Sequence, residues 1–393
     1  MRKAILCILA SLFLIHTAFA QSVLKKEFET KKGKILEIDL RSGGSIDIVG
    51  WDEETILVEA FLDKNARRDC DIRFDEHSSG LEIESRCHER HGSGRNIELE
   101  VKVPRQYNLD IVTSGGEIRI ENVEGNIDGK TMGGGLDLRD LKGEIALTTQ
   151  GGTIKCRGLE GLVDLYTYGG NITCRNSEVD GSVRTLGGNI QIQDVAGNLK
   201  AETNGGNVTY DGVTARNKGG DDKIVRISTL GGNIEVDEAP VGADVRTNGG
   251  NIEIGRAGKF VKARTLGGDI YIDEIDGWIE AQTNGGDISV TMVGDPDKGE
   301  RNVEIVSLGG DIELTVPPKL SMDFDITLAY TRNSNKNYEI ISDFEMNIEE
   351  TDRWERSHGT ARRYIYGTGT INGGNNKIIL ETINGDIIIR EGK

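Results

Sequence analysis

The sequence predicts an all-β protein: a β-solenoid (single-stranded β-helix) of stacked 18-residue units, with a β cap region at each end. Three observations carry this expectation. Gly-Gly pairs begin at 115, 133, 151, 169, 187, 205, 231, 249, 267, 285 and 309; eight of the ten intervals are 18 residues, and the others are 26 and 24. The chemistry around each pair is constant, with Thr or Ser two residues before it (Thr113 to Ser307) and Asn or Asp two residues after its first Gly in the later units (Asn171 to Asp311). After each pair the apolar residues alternate with polar ones, as in NIQIQDV and NLKAETN, which is strand spacing.

In chain order, residues 1–20 read as a signal peptide. Arg2 and Lys3 precede an apolar run too short to span a bilayer, and Ala18-Phe19-Ala20 is an A-x-A cleavage site. The mature chain is expected to begin at Gln21, to be exported to the periplasm or the cell surface, and to carry no transmembrane segment. Residues 21–110 hold less regular strands such as KILEIDL, GSIDIVGW and TILVEAFL and form the N-terminal cap region. Residues 111–316 are the repeats. Within a unit, Ile190, Ile192, Leu199, Ala201 and Thr203 point inward, and Asn, Asp and Gly make the turns. Such a unit buries its apolar face only against its neighbours above and below. Residues 317–393 start at Pro317-Pro318 and form the C-terminal cap region, with GTGTINGGNNKIILETINGDIIIR read as a last hairpin.

The coil length has two indicators. The residue before each Gly-Gly alternates, Leu186, Asn204, Leu230, Asn248, Leu266, Asn284, Leu308, which favours a 36-residue coil. The Thr, Ile and Gly rows all keep the shorter period. An 18-residue coil is expected, with the alternating position at the surface.

Four cysteines follow residue 20. Cys70 and Cys87 flank a hairpin around Ser78-Ser79-Gly80, and a bridge across its base is expected. Cys156 and Cys174 occupy the same inward position of adjacent units. Rungs about 4.8 Å apart bring their Cα atoms within disulfide range, so a second bridge is expected, with two buried thiols as the alternative. Cys87, His88 and His91 suggest metal, but a second ligand group at zinc spacing is missing from the sequence, and no metal or cofactor is expected.

Net charge is −18 over the whole chain, which argues against nucleic acid and anionic membrane surfaces as partners. Against that background Arg139, Lys155, Arg157 and Arg175 fall at outward positions of consecutive units. They form a basic stripe that could grip an anionic glycan, or else pair with Asp137 and Glu121. The insertions 214–223 and 293–302 interrupt two units at the same half-unit turn and are expected to project from one edge. Outward acids, Asp211, Glu235, Asp237, Glu253, Asp273 and Glu313, are the raw material of a glycan-active site, but in so acidic a chain they are expected without any catalysis, and the repeats contain no His.

The phrases GGSIDIVGWDEETILVEA, VPRQYNLDIVTSGGEIRI, the Gly-Gly-Asn/Asp-Ile series and the ending IILETINGDIII resemble, in that order, the bacterial "putative adhesin" family of exported Gly-rich β-strand repeat proteins. The resemblance covers nearly the whole chain after residue 20 and implies the solenoid architecture. It brings no catalytic residues. The expected function is a non-catalytic, exported, adhesin-like binding or scaffold protein of the cell envelope, with a glycan or protein partner. The alternatives are a polysaccharide lyase or hydrolase on a β-helix, and an envelope-stress or assembly component that binds a protein.

Overall fold

The computed structural model describes residues 22–88, 94–212, 224–334, 337–356 and 359–393. Two parallel faces run its length, each built by one strand per coil. On one face Lys142–Thr149 lies between Glu124–Thr131 and Glu160–Thr167. On the other Ile154–Arg157 lies between Leu136–Arg139 and the first half of Ile172–Thr185. The register is 18 residues wherever no insertion intervenes, so that Ile172 faces Ile190, Ile190 faces Val208 and Ile252 faces Ile270, and it widens to 26 and 24 across the two insertions. The coil is therefore the 18-residue one. Leu186, Leu230, Leu266 and Leu308, the residues that suggested 36, are exposed at the corner, where mixed stacking with Asn costs little.

Inward rows of Ile, Leu and Val fill the space between the faces, and Ile154, Ile172, Ile190, Val208 and Ile234 are all buried. Each such side chain stabilises the stack by about 2 kcal/mol through removal from water.

The Gly-Gly corner carries the polar part of the stacking. Thr203 is buried, and its hydroxyl donates to the Gly188 carbonyl of the rung before (2.9 Å) while accepting from the Gly206 amide (3.3 Å). The same pair of bonds recurs at Thr149, Thr185, Thr247, Thr265 and Ser307. Beside it runs a ladder of Asn and Asp, in which Asn171 Oδ1 accepts the Asn189 amide, Asn189 Oδ1 the Asn207 amide, and so on to Asp311. The opposite corner turns through left-handed residues at the same interval: Asn122, Asp140, Gly158, Asn176, Asp194 and Gly212.

Both regions expected as caps also supply rungs. Ile35–Leu40 and Ser45–Trp51 stack directly on Asn108–Thr113 and Ile118–Glu121. Their other side is covered by Gly80–Cys87 and Ile97–Pro104, so the first rung of the chain is held between two later ones. At the far end Asn376–Ile383 and Ile387–Glu391 stack on Val303–Ser307 and Ile312–Val316, and are covered in turn by Met322–Thr331 and Ile340–Ser342. The last rung of the chain is likewise enclosed. This corrects the expected final hairpin: Arg362–Ile371 and Asn376–Ile383 do not pair with each other but with opposite sides of Met322–Thr331. The Asn/Asp ladder explains the choice, since Asp311 Oδ1 accepts the Asp386 amide and Asp386 Oδ1 the Glu339 amide. Antiparallel strands then end both stacks. Thr55–Leu62 lies on Ile97–Pro104, Cys70–His77 on Gly80–Cys87, and Arg362–Ile371 on Met322–Thr331. A six-residue helix, Lys64–Asp69, is capped by Asp63, whose carboxylate accepts the Ala66 amide at 2.7 Å; the strand-only reading missed it.

The two glycines of a pair are not equivalent. A Cβ on Gly206 would sit 2.0 Å from the Gly188 carbonyl oxygen, whereas one on Gly205 would meet nothing closer than 3.6 Å. Gly206→Ala is expected to cost about 3 kcal/mol in urea unfolding and Gly205→Ala close to nothing. Thr203→Val, which keeps the shape but strands a buried amide and carbonyl, is expected to cost about 2 kcal/mol. Equal effects at the two glycines would show that close rung contact is not what the pair provides.

Candidate functional site

The face that carries Ile154–Arg157 presents two outward rows. One row is Asp137, Lys155, Thr173, Gln191, Thr209, Glu235, Glu253 and Tyr271; the other is Arg139, Arg157, Arg175, Gln193, Asp211, Asp237, Gly255 and Asp273. Strand parity places these side chains outward because their neighbours, Ile154, Cys156, Ile172 and Cys174, fill the core.

The stripe is smaller than the sequence suggested. Arg139 is taken up by Asp137 in a two-pronged ion pair, Nε to Oδ1 at 3.0 Å and Nη2 to Oδ2 at 2.7 Å. Arg119 also reaches Asp137, at 3.5 Å, as well as Asp47 and Glu117. Among the described residues, Lys155 and Arg157 have no carboxylate partner, and Arg175 donates only to Gln191 at 3.3 Å. Arg139, Arg157 and Arg175 are register partners on adjacent rungs, so like charges stack about 4.8 Å apart at their Cα atoms.

The acids gather further along the same face. Asp211, Glu235, Asp237, Glu253 and Asp273, with Tyr271, line a hollow of about 510 Å³. No Lys, Arg or His is among its lining residues. Burial is the main cause that raises the Tyr271 hydroxyl above the usual phenol range, followed by the charge of Asp269. Glu313 lies outside this hollow and pairs with Arg390 at 2.9 Å.

The insertion 293–302 does not stand free of the edge. Arg301 is buried, and its guanidinium donates to the Val293 carbonyl (2.7 Å), the Asp295 carbonyl (3.0 Å) and Asp276 Oδ1 (2.6 Å). Its amide donates to Asn376 of the enclosed last rung. One guanidinium thus folds the loop back on itself, a role invisible in a polar ten-residue insertion. The insertion 214–223 lies outside the described residues, as do residues 1–20 and His91. A second hollow, of about 540 Å³, lies at the C-terminal end between Tyr330, Tyr338, Ile348 and Ile365.

The family model of Toastrack DUF4097 matches residues 35–390, from the first enclosed rung to the last. The chain belongs to the Toastrack DUF4097 family. Among curated proteins none matches it. Solved structures similar to it include a "putative cell adhesion protein" from Clostridium sporogenes, with 11% identity, 95% of this chain and 100% of that chain covered and a TM-score of 0.18. Others are a "putative adhesin" from Parabacteroides merdae (12% identity, 69% and 96% covered, TM-score 0.36) and a "putative lipid binding protein" from Parabacteroides distasonis (11% identity, 74% and 96% covered, TM-score 0.30).

In this Toastrack protein the cysteines divide into two kinds. Cys70 and Cys87 face each other across antiparallel strands and form a disulfide. Cys87 is thereby withdrawn from any metal site with His88. The Cys156–Cys174 bridge is not formed; both are free and buried, although they are register partners. The reason lies in the Cβ atoms. In-register parallel neighbours hold parallel Cα–Cβ bonds at the rung spacing of about 4.8 Å, wider than the roughly 3.8 Å a bridge prefers. The hydrogen bond with Cys174, and then burial, push the Cys156 thiol well above the ordinary thiol range. Protein beginning at Gln21 is expected to show no thiol reactive to Ellman's reagent when native and two when unfolded without reductant. Zero thiols after unfolding would restore the second bridge.

Proposed function

We propose that this protein is exported and acts as a non-catalytic binding or scaffold protein of the cell envelope, holding an anionic surface against Lys155, Arg157 and Arg175. The carrying observation is the stripe itself: Arg157 stacked in register on Arg175, with Lys155 beside them, all exposed on an otherwise acidic solenoid and without carboxylates of their own among the described residues. Such an array repels itself, and an anion laid along it removes that cost. Export is supported by the charged start, the short apolar run and Ala18-Phe19-Ala20, and by a disulfide of the kind that persists in oxidising compartments. Among the described residues no helix is long and apolar enough to cross a membrane.

The test uses an acidic polysaccharide, polygalacturonate, as the probe. Lys155→Gln with Arg157→Gln and Arg175→Gln is expected to abolish its salt-sensitive binding while leaving the melting temperature within a degree or two. Arg139→Gln, at the cation already held by Asp137, is expected to change binding less than twofold. Tight binding by the triple variant would refute the stripe as an anion contact.

A further inference from the structure

The same face holds the stripe and its complement. Lys155 and Arg157 share one rung, and Arg175 lies on the next. Two rungs follow whose outward side chains are Gln191 and Gln193, then Thr209 and Asp211. Beyond them come Glu235 and Asp237, Glu253 and Gly255, Tyr271 and Asp273. The cations and the acids sit at equal distances from the midpoint between the Gln193 and Asp211 rungs. They also sit in the same two outward rows.

We infer that the anionic partner of the stripe is the acidic block of a second copy of this chain, docked face to face about a two-fold axis. The inference rests on the stripe being an anion contact and names what that anion is. A two-fold axis lying in the interface, parallel to the strands and passing between the rungs of Gln193 and Asp211, reverses the solenoid direction and keeps each row facing itself. Lys155 then faces Glu253, Arg175 faces Asp237, and Arg139 with its Asp137 faces Asp273 and Tyr271. Arg157 faces Gly255, the position in its row with no side chain to obstruct it. Gln191 faces Thr209 at the centre, and Gln193 faces Asp211. Every contact occurs twice, as an isologous interface requires.

Two observations favour a copy of the chain over an unrelated polyanion. Both blocks are like-charge ladders in the monomer: Arg157 is stacked on Arg175, and Glu235 on Glu253. Among the described residues, Asp211, Glu235, Asp237, Glu253 and Asp273 make no ion pair, so one docking event relieves both ladders. The spacing also matches by construction, since two identical solenoids share one rung interval over the whole contact. Four-residue strands about 13 Å long on the eight facing rungs give roughly 500 Å² per copy, and about 1,000 Å² in total lies at the lower limit for a specific interface. Paired charges of this density set register and make association sensitive to salt.

Sedimentation velocity on protein beginning at Gln21 tests this. A dimer is expected at 50 mM salt, with its dissociation constant raised about tenfold or more at 500 mM. Arg175→Asp and Asp237→Arg are each expected to be monomeric with unchanged melting temperatures. Mixed together they are expected to dimerise, because each chain then supplies the partner the other lacks. The two residues are three rungs apart in one chain, about 14 Å, so this rescue cannot arise within a monomer. If either variant fails to fold, Lys155→Glu and Glu253→Lys form the second pair. A wild-type monomer at low salt, or no rescue on mixing with either pair, overturns the inference. Should the monomeric protein still bind polygalacturonate through Lys155, Arg157 and Arg175, the stripe stands and only the second copy falls; loss of both removes the two readings together.

Discussion

The rest of the structure depends on how closely one rung approaches the next at the Gly-Gly corner. There the second glycine of one coil lies against the carbonyl of the second glycine below, at a distance that excludes even a methyl group. The buried hydroxyl two residues before the pair fills the remaining polar demand by donating across the gap and accepting from within its own turn. Without that hydroxyl the close approach would bury unpaired backbone groups, and with a side chain on the glycine the rungs could not close. Everything periodic in the chain follows from this corner: the 18-residue register, the Asn and Asp ladder beside it, and the inward alignment of the Ile rows.

Repetition creates a problem at its ends, where a parallel stack would expose open strand edges. The chain meets it by enclosing its own extremities. The first rung, Ile35–Trp51, and the last, Asn376–Glu391, each lie under a rung made from an interior segment. The corner chemistry extends to both: the Thr113 hydroxyl reaches the Gly44 carbonyl, and the Thr382 hydroxyl reaches the Gly310 carbonyl. Antiparallel strands then close the stack. The disulfide between Cys70 and Cys87 fastens the hairpin that makes one of these closures.

The outward rows are free of these constraints, and there the units differ. Inward positions repeat the same few residues, whereas outward positions pass from cations through amides to carboxylates along a single face. This segregation of charge is the feature of the protein that a merely structural solenoid does not require. It belongs to the surface the molecule presents rather than to the fold that presents it.

The sequence by itself determined whatever is set by local rules repeated at a fixed interval. Glycine pairs, the preceding threonine and the alternating isoleucines imply a solenoid, its turns and the parity of each side chain, because neighbours at 18 residues must stack whatever lies at the ends. Even the left-handed corner at Asn122, Asp140, Gly158 and Asn176, not picked out from the sequence, was there to be found at the same interval. Tertiary structure alone decided what depends on distances between non-equivalent positions. Cα spacing placed Cys156 and Cys174 within bridging range, yet the parallel direction of their Cβ bonds leaves them as thiols. Arg139 and Arg157 occupy the same position of adjacent units, but only Arg139 has an aspartate within reach on its own strand. Arg301 lies in a polar insertion and is nonetheless buried, because the carbonyls that satisfy it converge only once the loop has closed. The enclosed last rung was legible as a strand pair but not as an insertion between others, since that order is set by which backbone edge remains open when the preceding coils have stacked.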